Sequence, residues 1–388
     1  MVTLPLSVLI GGSGLRGLVL VLVACLLPLS ACAPRGTITL DPEAAGVGTI
    51  ERVFVGSTRS TDPETGSFGR KRSEDEQFAR YDISVPPERE PGSITFPRRG
   101  GKPDPRKHFL TTSQQMYASM GEFRADVARN LRALPRGKRD AVIYIHGFNN
   151  TFAEGLYRIA QLTHDLDMPG VTVHYSWPSA GTALGYVADR DSALFARDGL
   201  ERLLDEVDEA GAERMLIVAH SMGSALTMEA LRQIAIRGDT ALKRKLSGVV
   251  LISPDIDVDL FRMQAKAYGP LPQPFLIFGS DRDTLLNLSA RLTGQPERLG
   301  NLSDISRVAD LKVTFLDTHA FREGAGHFDM GDNPALLQLL SRIVEVNAAF
   351  DADQRGRTGL LPGVVLTVQN ATQIILAPVG AVAEGLAQ

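Results

Sequence analysis

From residue 141 to residue 317, short apolar runs recur along the chain: "AVIYIHG", "VTVHYSW", "RMLIVAH", "SGVVLIS", "PFLIFGS" and "LKVTFLD". Each is rich in β-branched and large apolar residues and too short for a helix, so each predicts a strand buried on both faces. Between and after them lie segments with helical spacing, around 151–167, 187–210, 223–237, 284–292 and 333–349. This alternation predicts an α/β fold, a mostly parallel central sheet with helices on both faces. Upstream, "TIERVFVGST" predicts a first strand, and "YDISVPP" and "GSITF" are two strand candidates in a region at 60–110 rich in Arg, Gly, Pro and Glu. No internal repeat is visible.

In such a sheet, functional groups collect beyond the carboxyl ends of the strands. The run "RMLIVA" ends in His220-Ser221-Met222-Gly223 and passes directly into a helical segment. A strand that enters a helix through so tight a turn projects its central side chain above the sheet, and the residues two away must be small. Ser221 lies between Ala219 and Gly223, at a helix N-terminus whose free N–H groups favour developing negative charge. The alternative role for Ser221 is a simple helix cap.

A serine hydroxyl needs a base. Of the seven histidines, His108 precedes the regular sheet, His164 lies in a helical segment and His174 lies within a strand. His220 would point away from Ser221, and His146 is better suited to shaping its own loop. His319 and His327 remain. His327, in the Gly-rich "GAGHFD" after the last strand, is favoured by position. The base in turn needs a carboxylate: Asp283 is preferred over Asp281, with Asp255, Asp257 and Asp259 as the residual choice. Backbone N–H groups of Met222 and of Phe148, in "HGFN" after the first central strand, would form an oxyanion hole. Phe148, Trp177, Tyr186 and Met222 could line an apolar cleft, with His146 and Asn149 beside it, or could simply be core.

Composition narrows the partners. The 388 residues are 44% hydrophobic and 22% charged, with a net charge of −4, which gives no electrostatic reason to bind nucleic acid. No metal-ligand spacing, phosphate loop or dinucleotide fingerprint follows any strand, so no cofactor is expected.

Near the N-terminus, Arg16 precedes the apolar run "LVLVLVACLLPLS", which is too short for a comfortable membrane span and shaped like a signal-peptide core. The following Leu29-Ser30-Ala31-Cys32 resembles the bacterial lipoprotein box. That resemblance implies cleavage before Cys32, diacylation of Cys32 and export, with Ala33 favouring an outer membrane facing the periplasm. The expected division is then a signal peptide at 1–31, a tether at 32–48, a domain at 49–350 and an apolar C-terminal extension at 351–388. The extension is broken by Pro and Gly and unsuited to spanning a bilayer.

Eight ordered stretches carry a wider resemblance: "VFVGSTR", "YDISVPPEREPGSITF", "VIYIHGFNNTF", "YSWPSAGTALGYVADRDSA", "LIVAHSMGSAL", "VVLISPDIDVDLF", "SDRDTLLNLS" and "GHFD". Together they are similar to the α/β-hydrolase superfamily, and within it to a bacterial esterase/lipase-like family long described only as a domain of unknown function. The resemblance implies an α/β-hydrolase fold with Ser221 as nucleophile, His327 as base and Asp283 as acid. Ala219 departs from the familiar Gly-x-Ser-x-Gly, which implies a more crowded turn. The expected activity is hydrolysis of a small-molecule or lipid-like carboxylic ester by an envelope lipoprotein. The alternatives are amide or thioester cleavage or acyl transfer by the same triad, or a non-catalytic binding lipoprotein.

Overall fold

The computed structural model describes residues 35–318, apart from 99, 282 and 296, together with the strand pair at 363–368 and 371–376. The strands are β1 (Thr49–Thr61), β2 (Phe68–Val85), β3 (Leu110–Met116), β4 (Asp140–Ile145), β5 (Val171–Ser176), β6 (Arg214–His220), β7 (Leu246–Ile252), β8 (Phe275–Gly279), β9 (Val313–Asp317), β10 (Gly363–Val368) and β11 (Ala371–Leu376). Among the described residues they form one 11-stranded sheet in the order β10-β11-β9-β8-β7-β6-β4-β5-β1-β2-β3. The described helices are α1 (Met120–Ala133), α2 (Phe152–Asp165), α3 (Tyr186–Phe195), α4 (Arg197–Glu209), α5 (Met222–Arg237), α6 (Thr240–Lys245), α7 (Val258–Tyr268) and α8 (Thr284–Leu292).

The six central apolar runs are β4 to β9, paired in parallel with their neighbours. Because successive side chains alternate across a strand, the runs divide between two cores. Ile143, Ile145, Ile217, Ala219 and Leu251 pack with residues of α1, α4, α5 and α7, whereas Val142, Tyr144, Val218, Val250 and Ile252 pack with α2. The chain passes from β4 to β5 on one side and then to β6 on the other. The carboxyl ends of β4 and β6 therefore flank a topological switch point, where α/β sheets open a crevice.

Several elements differ from the pattern-based expectation. The helix expected over 187–210 divides at Ala196, whose carbonyl accepts the Tyr175 hydroxyl at 2.5 Å. A Cβ on Gly199 would come within 2.4 Å of the same oxygen, so this close approach needs a glycine. The long antiparallel β1–β2 pair was obscured because residues 70–76 of β2 are mostly charged. "GSITF" forms no strand; Phe96 instead stacks on Tyr157 with centroids 5.5 Å apart. Helix α1 went unread although its buried Phe123, Val127 and Leu131 have helical spacing. The expected helix at 333–349 lies outside the described residues.

Both proposed outer boundaries also change. Within the expected tether, residues from Arg35 onward are fastened to the domain. Arg35 bonds Glu154 and Asn149, Gly36 N–H donates to Glu154 at 2.9 Å, and the backbone of Thr39 and Asp41 pairs with Thr111. Within the expected C-terminal extension, β11 pairs in parallel with β9 and buries Ile374. Satisfying edge N–H and C=O groups makes this segment part of the sheet. Among the described residues, no helix is long and apolar enough to cross a membrane.

Helix α5 is seated on β4 through Gly223. A Cβ there would lie 2.4 Å from the His146 carbonyl oxygen and 2.8 Å from that of Ile145, and backbone atoms cannot move aside as a flexible side chain could. Gly223→Ala is expected to destabilise the protein by about 1–3 kcal/mol through overpacking, measured by denaturant unfolding.

A second expectation concerns pH. The Glu76 side chain on β2 is 3% exposed and accepts from Arg202 at 3.1 Å. Burial outweighs that partner and pushes its carboxyl up to about 8. A carboxyl raised in this way favours the fold while protonated. Its contribution is complete below the ordinary value of 4.5 and is lost as the pH rises through about 8. Glu76→Gln should therefore show a smaller fall in melting temperature than the parent between about pH 5 and about pH 9, read in paired calorimetric scans.

Candidate active site

Ser221 stands at the end of β6 with φ 50° and ψ −121°, and α5 begins at the next residue. A left-handed backbone at a non-glycine residue costs about 1–3 kcal/mol and persists only where the surroundings over-determine it. Here they do. Ser221 N–H donates to the Ile252 carbonyl at 2.8 Å, and its own carbonyl accepts from Ser224 N–H at 3.0 Å and Asp255 N–H at 3.2 Å. The serine is thereby held above the sheet at the head of a helix.

The loop after β4 crosses directly over it. A Cβ on Gly147 would lie 3.0 Å from Ser221 Cβ and 2.6 Å from His220 Nδ1, so glycine permits this approach. His220 is buried. Among the described residues, neither the Phe148 nor the Met222 amide N–H has an acceptor. Both belong to backbone adjoining the serine, and the Met222 amide heads α5, where the helix dipole is positive.

The loop is braced from below. Asn149 adopts φ 57° and is gripped by Arg35, whose guanidinium donates to its side chain at 2.8 Å and to its carbonyl at 2.6 Å. Asn150 N–H donates to Ser179 Oγ at 3.2 Å, and Ser179 Oγ donates to the buried Asp189 at 2.6 Å. Beneath these lies Arg59, fully buried, donating to Ser176 Oγ and to the carbonyls of Gly69, Ser179 and Asn150 at 2.9–3.2 Å. Burial pushes its guanidinium down to about 9, still charged at neutral pH. No role was assigned to Arg59 from the sequence; its signal was a lone cation ending the apolar stretch "VFVGSTR".

Two expected pocket residues are core instead. His146 and Trp177 are fully buried and stacked 4.9 Å apart; Trp177 Nε1 donates to the His146 carbonyl at 2.7 Å. The imidazole nitrogens of His146 lie 2.9 Å from the Gly147 carbonyl oxygen and 3.0 Å from that of Trp177. Burial, reinforced by Arg59, holds His146 well below the ordinary histidine value. Burial likewise pushes His174 down to about 3. Asn149 is engaged by Arg35 rather than turned to the cleft. Tyr186 does line a cleft of about 180 Å³, together with Met222, Leu226, Ile256, Leu260 and Arg298, and Phe148 meets Tyr186 edge-on at 5.4 Å.

The carboxylates separate clearly. Asp255 has both oxygens engaged: Oδ1 accepts from Ser289 Oγ at 2.6 Å and pairs with the buried Arg298 at 3.2 Å, while Oδ2 accepts from Tyr186 Oη at 2.8 Å. Asp257 caps α7, accepting from Leu260 N–H. Asp259 is exposed beside Arg307, and Asp281 is exposed. Asp283 is fully buried at the N-terminus of α8, where Oδ1 accepts from Leu285 and Leu286 N–H at 3.1 and 3.0 Å. Strand β8, which precedes Asp283, is two strand spacings from β6, about 10 Å. The chain leaves β9 beside it, with Thr318 N–H donating to the Gly279 carbonyl at 2.9 Å. His319, His327 and Cys32 lie outside the described residues.

Solved structures with similar folds include LAE6, an alpha/beta hydrolase enzyme from the metagenome of Lake Arreo, in a mutant form. It is 13% identical, with 88% of this chain and 98% of that one covered, at a TM-score of 0.36. A hyperthermophilic esterase from the archaeon Pyrobaculum calidifontis is 14% identical, with 78% and 85% covered, at a TM-score of 0.35. A fungal esterase from Rhizomucor miehei is 13% identical, with 79% and 88% covered, at a TM-score of 0.35. Comparison with curated proteins finds no match. Residues 120–342 match a family described as alpha/beta hydrolase of unknown function, DUF900. That match spans more than half of the sequence and includes β4 to β9 and the serine corner, so the chain belongs to this family of alpha/beta hydrolases.

Proposed function

We propose that the protein is a serine hydrolase that cleaves carboxylic esters through Ser221, His327 and Asp283, and that it is held at the cell envelope by a lipidated Cys32. The observation that carries the catalytic reading is the strained backbone of Ser221, with Gly147 against its Cβ and two amide N–H groups beside it, of Phe148 and Met222, that have no acceptor among the described residues. Strain maintained by three backbone hydrogen bonds is what a nucleophile elbow requires and what a simple helix cap does not. Ser221 also makes no side-chain cap bond to α5.

In this reading His327 takes the Ser221 proton as Oγ bonds to the ester carbonyl carbon. The Phe148 and Met222 amides receive the oxyanion. The C–O bond to the alcohol then breaks, and the alcohol departs with the proton from His327. Water, deprotonated by the same imidazole, attacks the acyl-enzyme and releases the carboxylic acid and free Ser221. Asp283 holds the imidazole tautomer and stabilises the cation. It is favoured over Asp255, whose two oxygens already serve Ser289, Arg298 and Tyr186.

A fluorophosphonate probe should attach to Ser221, located by peptide mass spectrometry; an adduct elsewhere, or none on folded protein, removes the reading. His327→Ala and Asp283→Asn should each lower p-nitrophenyl ester turnover strongly, the former on the order of a thousandfold. His319→Ala and Asp281→Asn should be much milder. Equal, small losses in all four would reject this triad.

Cys32→Ser should release the protein from the membrane fraction. If it stays bound to the same extent, the anchor lies elsewhere.

A further inference from the structure

The first described residue, Arg35, is fastened at the active-site loop. Its guanidinium donates to the side chain and carbonyl of Asn149, the residue after Phe148, and to Glu154 at the start of α2. Gly36 N–H also bonds Glu154, and the Thr151 hydroxyl donates to the Gly36 carbonyl at 3.0 Å. Two residues, Ala33 and Pro34, separate Cys32 from Arg35, and an extended chain spans at most about 10 Å over those three steps. An acyl anchor on Cys32 therefore cannot swing around the molecule. It must enter the bilayer beside Asn149, at the carboxyl-end face of the sheet.

The elements that follow the carboxyl ends of β5, β7 and β8 carry most of the exposed large apolar side chains among the described residues. Nine of the thirteen exposed large apolar side chains among the described residues lie between 184 and 195, on α7 or on α8. Leu184 is 97% and Val187 75% exposed. Their segment is tied to the Asn149 loop by Asp189, which accepts from Asn149 N–H at 3.4 Å and from Ala180 N–H at 2.7 Å. Leu285, Leu288 and Leu292 form an exposed stripe along α8 at helical spacing. Tyr186, between Leu184 and Val187, joins that helix through a 2.6 Å bond to Ser289. The cleft that reaches Met222, next to Ser221, is lined by Tyr186 and Leu194 from the 184–195 segment and by Leu260 from α7. Exposed apolar side chains gathered on linked elements in this way mark an interaction site.

We infer that the carboxyl-end face docks on the lipid surface that holds the N-terminus, with Leu184, Val187 and the α8 stripe entering the interface, so that the ester taken is a lipid drawn from that membrane. The inference rests on the proposed ester hydrolysis and Cys32 anchor. The short fastened N-terminus selects lipid over a second copy or a protein partner, because it presses this face toward the bilayer. Side chains that are unfavourable in water become buried in the interface.

The test uses the full chain purified from membranes, with diacylation of Cys32 checked by mass. A bimane label on Leu184→Cys is compared with one on Ile236→Cys in phosphatidylethanolamine/phosphatidylglycerol vesicles carrying nitroxide acyl chains. Ile236 is 64% exposed near the far end of α5, roughly 22 Å along the helix from Ser221. Quenching at 184 and not at 236 is expected. With Cys32 diacylated, equal quenching at both positions, or none at either, overturns the docking surface and leaves the anchor. An unmodified Cys32 with quenching only at 184 removes the anchor and keeps the docking surface; an unmodified Cys32 without that quenching removes both. A 184 signal that responds to protein concentration and not to nitroxide lipid assigns the patch to a second copy and overturns the inference. In parallel, the double variant Leu184→Asp, Val187→Asp should cleave a long-chain ester in vesicles at least tenfold more slowly while cleaving a soluble short-chain ester at the parent rate. Equal rates on both substrates overturn the lipid-substrate assignment. A parent inactive on either ester removes the ester reading instead, and the quenching still decides the docking.

Discussion

The approach of α5 to β4 at Gly223 is the constraint on which the site depends. With no side chain at 223, the helix comes within contact of the Ile145 and His146 carbonyls. The chain between β6 and α5 must then turn within one residue. Ser221 takes the left-handed conformation that this turn imposes, and the bonds to Ile252, Ser224 and Asp255 hold it there. The position of the Met222 amide, the helix dipole behind the serine and the position of its hydroxyl all follow from one close packing contact. A looser contact would let the backbone relax and withdraw all three together.

Around this corner the protein uses buried polar groups where an ordinary core would use apolar ones. Arg59 is a charged side chain without a carboxylate hydrogen-bond partner among the described residues, and it is solvated instead by backbone carbonyls and Ser176. Each bond fixes a different segment, the β1–β2 pair, the end of β5, the 177–181 turn and the loop after β4, so one cation sets their mutual positions. Asp255 and Arg298 form a second such node, bringing the β7 loop, α8 and Tyr186 together. Breaking a node of this kind leaves an unpaired buried charge, which destabilises far more than the loss of one surface bond.

Under the proposed Cys32 anchor, the N-terminal segment would set how the molecule is oriented. A free tether would let an anchored domain tumble and present any face to a surface. Fastening residues 35–41 across α2 and β3 removes that freedom. The exposed apolar side chains around the cleft are unfavourable for a protein surrounded by water.

The local pattern of the sequence determined the central sheet and the serine corner. Six runs buried on both faces read as strands because their apolar character is continuous, and the small residues flanking Ser221 report a close approach that is itself local. Helix α1 was legible in the spacing of Phe123, Val127 and Leu131, although most of its other positions are polar. The β1–β2 pair was not legible, since most of its charged half faces solvent and lacks the alternation of a half-buried strand. Tertiary structure alone decided which polar residues are core and which face the cleft. His146 and Trp177 follow strands as catalytic groups do, yet they stack beneath the loop. Arg59 reads as a surface cation and lies fully buried. Asp255 and Asp283 are equally placed in chain order, and only the partners that reach Asp255 from α3, α8 and Arg298 tell them apart. Burial and hydrogen-bond partners are properties of the neighbours that folding brings together from distant positions, and no local pattern encodes them.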